Sequence, residues 1–139
     1  MTNGWSTMGF GLPAAVAAAM VNPRSAVVCI TGDGGLMMYA GEMMTARRYG
    51  LKIIVVVLAD GELNLIKVKE SWKNMEPYGT ELYKGPLFGS DTFLGAEVWR
   101  VHDSESMRSA IRRALHSERS VIIEAAVDAS AYSSLIVRS

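Results

Sequence analysis

Hydrophobic positions in this chain alternate between short β-branched runs and longer stretches of helical character. "GLPAAVAAAMV" (11–21) is alanine-rich and carries Pro13 where a helix's first turn tolerates it. "SAVVCI" (25–30) has the length and branching of a buried strand. "GLMMYAGEMMTARRYG" (35–50) reads as a single helix ending at Gly50, with Arg47 and Arg48 near its C-terminus. "LKIIVVVL" (51–58) is almost wholly apolar, as expected for a central parallel strand covered on both faces. Residues 59–90 mix a polar loop, a short helix and irregular chain. "AEVWRV" (96–101) is a third strand. "SESMRSAIRRALHS" (104–117) is an amphipathic helix with Ser104 as N-cap and Met107, Ile111 and Leu115 on one face. "SVIIEAAV" (120–127) is the fourth strand.

Strands alternating with helices imply crossover connections and a parallel sheet. The expected fold is therefore a single α/β domain over 1–139, an open parallel sheet with helices on both faces. No internal repeat, linker or low-complexity segment divides it. Sheets of this kind bind ligands beyond the carboxyl ends of their strands. "TGDGG" (31–35) and "LADGE" (58–62) both occupy that edge.

Composition narrows the picture. The chain has 139 residues, half of them hydrophobic and a fifth charged, which supports one sizeable core. Fourteen basic residues balance fourteen acidic ones, so nothing electrostatic points to nucleic acid or an anionic membrane. No run approaches the roughly 20 apolar residues that span a bilayer. The single cysteine, Cys29, lies within a strand-like run and reads as a buried thiol, in keeping with a reducing cytoplasm. His102 and His116 are isolated and read as solvated structural residues. The paired methionines Met37, Met38, Met43 and Met44 read as core or interface packing.

The chemistry concentrates in the two loops. Glycines between a strand and a helix let backbone N–H groups approach an anion, which accounts for Gly32, Gly34 and Gly35 if the ligand carries phosphates. A carboxylate in the same loop repels phosphate, and a divalent cation between them resolves the conflict. Magnesium uses few carboxylates together with phosphate oxygens. Asp33 would supply one oxygen and Asp60, at the end of the next strand, a second. Read alone, the same residues also allow two ordinary strand-to-helix turns, with Asp60 capping the following helix. A dinucleotide fingerprint is missing, since position 37 is Met, and no lysine follows the glycines as in a P-loop.

"GDGG", followed about two dozen residues later by "AD" in "LADGELNLI", resembles the diphosphate- and metal-binding signature of thiamine diphosphate enzymes. "NGWSTMGFGLPAAVAAAM" and "VIIEAAVDASAYSSLI" extend the resemblance to the acetolactate synthase and pyruvate decarboxylase superfamily over nearly the whole chain. The resemblance implies thiamine diphosphate and Mg2+ as cofactors. It makes Asp33 and the Asp60 side chain metal ligands, with the Glu62 backbone carbonyl as the third. It implies that Gly32, Gly34 and Gly35 form the diphosphate loop, and that Gly34 and Gly35 offer it N–H groups. Met8 would wedge beneath the cofactor, and the backbone around Ser6 and Met8 would bind its aminopyrimidine ring. The implied activity is cleavage or joining of carbon bonds in a 2-oxo acid, with the cofactor as electron sink.

The chain also departs from that family. Its usual Asn-Asn is Ala59-Asp60 here, which places a second negative charge beside the diphosphate. Lys69 stands where the branched-chain synthases carry a tunnel Trp. In the family the region of "IKVKESWKNMEP" helps cover the active site. Family members also carry a pyrimidine-binding domain that supplies a glutamate to the cofactor, and nothing in this sequence corresponds to it. The expectation is a fragment or one half of a split enzyme, inactive alone, partnered by a pyrimidine-binding domain or subunit and forming a homo-oligomer. The alternatives are a non-catalytic interaction module with weak cofactor binding and a generic phosphate-binding domain.

Overall fold

The computed structural model describes residues 7–132. In chain order it contains α1 (Gly11–Val21), β1 (Val27–Gly32), α2 (Asp33–Tyr39), α3 (Glu42–Arg48), β2 (Ile53–Ala59), α4 (Asn64–Trp72), β3 (Thr92–Phe93), β4 (Ala96–Val101), α5 (Ser104–His116), β5 (Val121–Ala126) and a 3-10 turn at Ala129–Ala131. One five-stranded sheet runs in the order β1-β2-β5-β4-β3. The first four strands in that order pair in parallel, and only the two-residue β3 lies antiparallel, along the outer edge of β4. The expected parallel α/β sheet is present, with β3 as an addition too short to leave a period-2 pattern.

The apolar run of 51–58 becomes a central strand for the reason its composition suggests. Ile53 through Val57 are all buried, so both faces of β2 are covered. Ile53, Val55 and Val57 join Cys29, Val98 and Ile122 in a core under Leu12, Val16, Leu36 and Met43 of α1, α2 and α3. Ile54 and Val56 join Val121, Ile123 and Ala125 in a second core under Ala110 and Ala114 of α5. Helices therefore lie on both faces, though unequally. Beyond the reach of α5, Val28 and Ile30 of edge strand β1 are 46% and 69% exposed. Cys29 is buried, and burial pushes its thiol pKa up, as expected for an inert side chain.

Three local expectations change. The single helix over 35–50 is two, α2 and α3, because the amides of Met43 and Met44 bond three residues back, to Ala40 and Gly41. That tighter winding, at a glycine with low helix propensity, offsets the two segments. The end at Gly50 holds: Gly50 has φ +61, its amide reaches the Arg47 carbonyl, and the Leu51 amide reaches Ala46. In α5 the N-cap is Asp103 rather than Ser104, in a reciprocal capping box with Ser106. Its buried positions are Ala110 and Ala114, flanked by Met107 and Ile111, while Leu115 is exposed. The small residues let α5 lie close to the sheet, and Arg113 stacks over the Trp99 ring at 4.4 Å. Among the described residues no helix is long and apolar enough to cross a membrane.

Ile122 is fully buried between the Val55 and Val98 positions of the neighbouring strands. Ile122→Ala is expected to destabilise the domain by about 2–5 kcal/mol, read as a lower urea midpoint at unchanged slope.

Candidate functional site

Strands β1 and β2 end side by side, with Gly32 opposite Leu58. The residues that follow them, Asp33 and Asp60, are thereby brought to one edge of the sheet. Asp33 is the first residue of α2 rather than a loop residue, and it is only 4% exposed. A carboxylate so deeply placed needs donors. Its Oδ1 accepts the Gly34 amide at 2.7 Å. Its Oδ2 accepts three bonds, from the Gly61 amide at 2.9 Å, the Asp60 amide at 3.2 Å and the Tyr83 hydroxyl at 2.7 Å. Asp33 is thus what ties the first loop to the second. Burial, and then the bond to Asp33, push the Tyr83 hydroxyl pKa well up, so it stays a donor.

The second loop is closed by its own side chain. Asp60 Oδ1 accepts the Glu62 amide at 3.0 Å, a two-residue turn. Asp60 does not cap α4, whose N-cap is Leu63 with no side-chain bond. Gly61 has φ +77, and a Cβ there would sit 2.9 Å from the Tyr83 carbonyl oxygen, so both conformation and space demand glycine. The Gly61 carbonyl accepts the Leu82 amide, and Leu63 donates to Thr80. This short antiparallel bridge, Glu62 opposite Glu81, delivers Tyr83 to Asp33. The Glu62 carboxylate pairs with Lys67. None of the loop bonds named here uses the Glu62 carbonyl, whereas those of Gly61 and Leu63 are both engaged.

The glycines after Asp33 make room for protein as well as ligand. A Cβ on Gly34 would meet Leu63 at 2.8 Å and the Met8 methyl at 3.7 Å, and one on Gly35 would meet the Thr31 hydroxyl at 2.8 Å. Met8 therefore lies beside the glycine pair, with its side chain partly exposed. The Gly34 amide is already donated to Asp33. Ser6 lies outside the described residues. The site brings the oxygens of two carboxylates, Asp33 and Asp60, to one edge of the sheet. Among the described residues no three His, Cys, Asp or Glu side chains cluster as a metal cage. Such a donor set suits a hard cation that takes its remaining oxygens from a bound phosphate.

Sequence reasoning missed Tyr83, Arg100 and Glu124. Together with Asp60, Gly61 and His102 they line a cavity of about 350 Å³ at the carboxyl ends of β2, β5 and β4. Glu124 is buried within β5, opposite Arg100 of β4. Its Oε1 accepts the Leu87 amide at 2.6 Å and its Oε2 lies 3.4 Å from the Arg100 Nε. Arg100 also donates to Asp91 at 2.9 Å, to Ser90 at 3.2 Å and to the Phe88 carbonyl. The charge standing alone in "VIIEAAV" was the available signal. His102 sits at the cavity rim with an exposed side chain, and His116 is likewise exposed at the end of α5.

A family model described as "Thiamine pyrophosphate enzyme, C-terminal TPP binding domain" matches residues 1–125. The chain belongs to this family. The cofactor of these thiamine pyrophosphate enzymes is thiamine diphosphate. A probable acetolactate synthase large subunit from Methanococcus aeolicus is 28% identical over 97% of this chain and 23% of its own length. The acetolactate synthase isozyme 3 large subunit of Escherichia coli is 33% identical, over 93% of this chain and 23% of its own. Among solved structures, a thiamine diphosphate-dependent 4-hydroxybenzoylformate decarboxylase from Rhodococcus jostii superposes with a TM-score of 0.75 at 25% identity. It covers 88% of this chain and 24% of that one. The chain thus spans about a quarter of the length of the relatives it matches.

Removing the Asp33 carboxylate strands three backbone amides, those of Gly34, Asp60 and Gly61, and a phenol. Asp33→Ala is expected to cost about 1–3 kcal/mol of stability even without any ligand, measured by urea unfolding in metal-free buffer.

Proposed function

We propose that this domain binds thiamine diphosphate through Mg2+ as the C-terminal part of a 2-oxo acid decarboxylase or carboligase resembling acetolactate synthase, in a reducing cytoplasm. The observation that carries the reading is the arrangement of the Asp33 carboxylate. Three donors from the second loop and Tyr83 hold Oδ2, while among the described residues Oδ1 accepts only the adjacent amide, leaving a lone pair for a cation. The Asp60 side chain and the Glu62 carbonyl complete the protein's share of the metal's ligands. Gly32, Gly34 and Gly35 leave the diphosphate its approach at the start of α2, and Met8 supports the cofactor from the side of the glycine pair. When bound, thiamine diphosphate supplies the electron sink for breaking the bond next to a 2-oxo acid's carbonyl.

The pyrimidine ring needs a carboxylate that the acids near this site do not offer. Glu62 is paired with Lys67, and the Glu70 carboxylate accepts the Tyr78 amide. A pyrimidine-binding domain or subunit fills that role, and the exposed apolar side chains of Phe10, Met37, Met38, Tyr39 and Met44 give a surface for it or for a second copy. The Asp60 turn with Glu62 favours one competing reading, in which Asp60 closes the loop and binds no metal.

Calorimetric titration with thiamine diphosphate, in Mg2+ and in EDTA, tests the proposal. Binding is expected only with the divalent ion, lost in Asp33→Ala, and kept or strengthened in Asp60→Asn because a charge beside the diphosphate is removed. Equal affinity in EDTA overturns the metal bridge, and unchanged Mg2+-dependent binding by Asp60→Ala reduces Asp60 to a turn residue. The isolated chain is expected to turn over no pyruvate and to scatter light as a dimer or larger species. Robust turnover, or a clean monomer at high concentration, contradicts the respective half.

A further inference from the structure

We infer that Tyr83 is a positioning residue for the metal-binding carboxylate, delivered to it by a loop that the Arg100–Glu124 pair locks to the sheet. The inference rests on the thiamine diphosphate–Mg2+ reading and deepens it. Among the described residues the Tyr83 hydroxyl is the one side-chain donor on Asp33, and at 2.7 Å it is shorter than either backbone bond to the same Oδ2. An oxygen that accepts three bonds has no lone pair left for a cation. The oxygen left for the cation is therefore Oδ1, and turning the carboxylate to exchange the two would break all three bonds at once. Two of the three donors belong to the Asp60 loop itself. The third arrives from 50 residues further along the chain, so its placement depends on what holds residues 80–91.

Two anchors hold that segment. Upstream, the bridge of Glu62 with Glu81 and the bonds of Leu82 and Thr80 fix its approach. Downstream, Glu124 takes the Leu87 amide, and Arg100 takes the carbonyls of Phe88 and Ser90 and the carboxylate of Asp91. Phe88 is buried and packs on Phe93, with ring centroids 4.9 Å apart. Gly85, at φ +83, and Pro86 make the turn between the anchors. Through the Leu87 amide on Glu124 and the Phe88 and Ser90 carbonyls on Arg100, the charged pair ties down the backbone of the loop that carries Tyr83.

The test uses the full chain with Mn2+ as a paramagnetic stand-in for Mg2+ and thiamine diphosphate as ligand. Free Mn2+ is read by electron paramagnetic resonance, and ligand-free thermal unfolding is run in parallel. Tyr83→Phe removes one hydrogen bond to a charged group and is expected to raise the Mn2+ half-saturation about ten-fold. Glu124→Gln keeps an acceptor for Leu87 but loses the ion pair with Arg100, and should shift it in the same direction by less. It serves as the readout if Tyr83→Phe does not fold. Unchanged Mn2+ affinity in folded Tyr83→Phe overturns the inference, and so does tighter binding, which would make the phenol a competitor of the cation. Absence of Mn2+-dependent cofactor binding by the wild-type chain overturns the cofactor reading and this inference with it. Wild-type binding matched by the variant overturns the inference alone.

Discussion

A carboxylate buried at the start of a helix can persist only if the surrounding chain supplies its donors, and the site of this protein is organised around that demand at Asp33. Two of the amides that satisfy Oδ2 belong to the loop after β2. The bond therefore fixes the separation of the two strand-end loops without help from any ligand. A glycine at position 61 is part of the same constraint, since its φ of +77 turns the loop so that its amide faces Asp33 and its carbonyl faces Leu82. Pre-assembly of this kind spares ligand binding part of the cost of ordering the loops.

The sheet makes the arrangement rigid. Strand β2 is buried on both faces, so the point from which the Asp60 loop departs cannot shift without disturbing two cores. The neighbouring strands β4 and β5 contribute a charged pair, Arg100 and Glu124, where apolar side chains would otherwise be expected. Desolvating such a pair is costly, and its members are justified by the bonds they make beyond each other. Here those bonds go to loop backbone, which gives an irregular stretch of chain the partners that a helix or strand would have found within itself.

Burial is uneven across the domain, and the unevenness has a direction. The β1 edge and the surfaces of α2 and α3 carry exposed apolar side chains, whereas the α5 face over β4 and β5 is closed. The Asp33 edge adjoins the exposed side chains of α2, with Met8 beside the glycines at the start of that helix. The chain matches about a quarter of its relatives' length.

By itself the sequence determined the fold class, the central position of 51–58, the helix stop at Gly50 and the placing of the Asp33 and Asp60 loops at one edge of the sheet. Each of these follows from local composition: a run of branched apolar residues has to be buried on both faces, and glycines mark where the backbone must turn or come close. Tertiary structure alone decided the rest. Two local details also escaped the pattern: the split of 35–50, made by the three-residue-back bonds of Met43 and Met44, and the cap of α5, where Asp103 rather than Ser104 accepts the Ser106 amide. Tyr83, Arg100 and Glu124 became site residues only through contacts between positions 12 to 50 apart in sequence. Hydrogen bonds at such separations leave no periodic trace along the chain, because nothing in the spacing of one partner constrains the other until the sheet has brought them together.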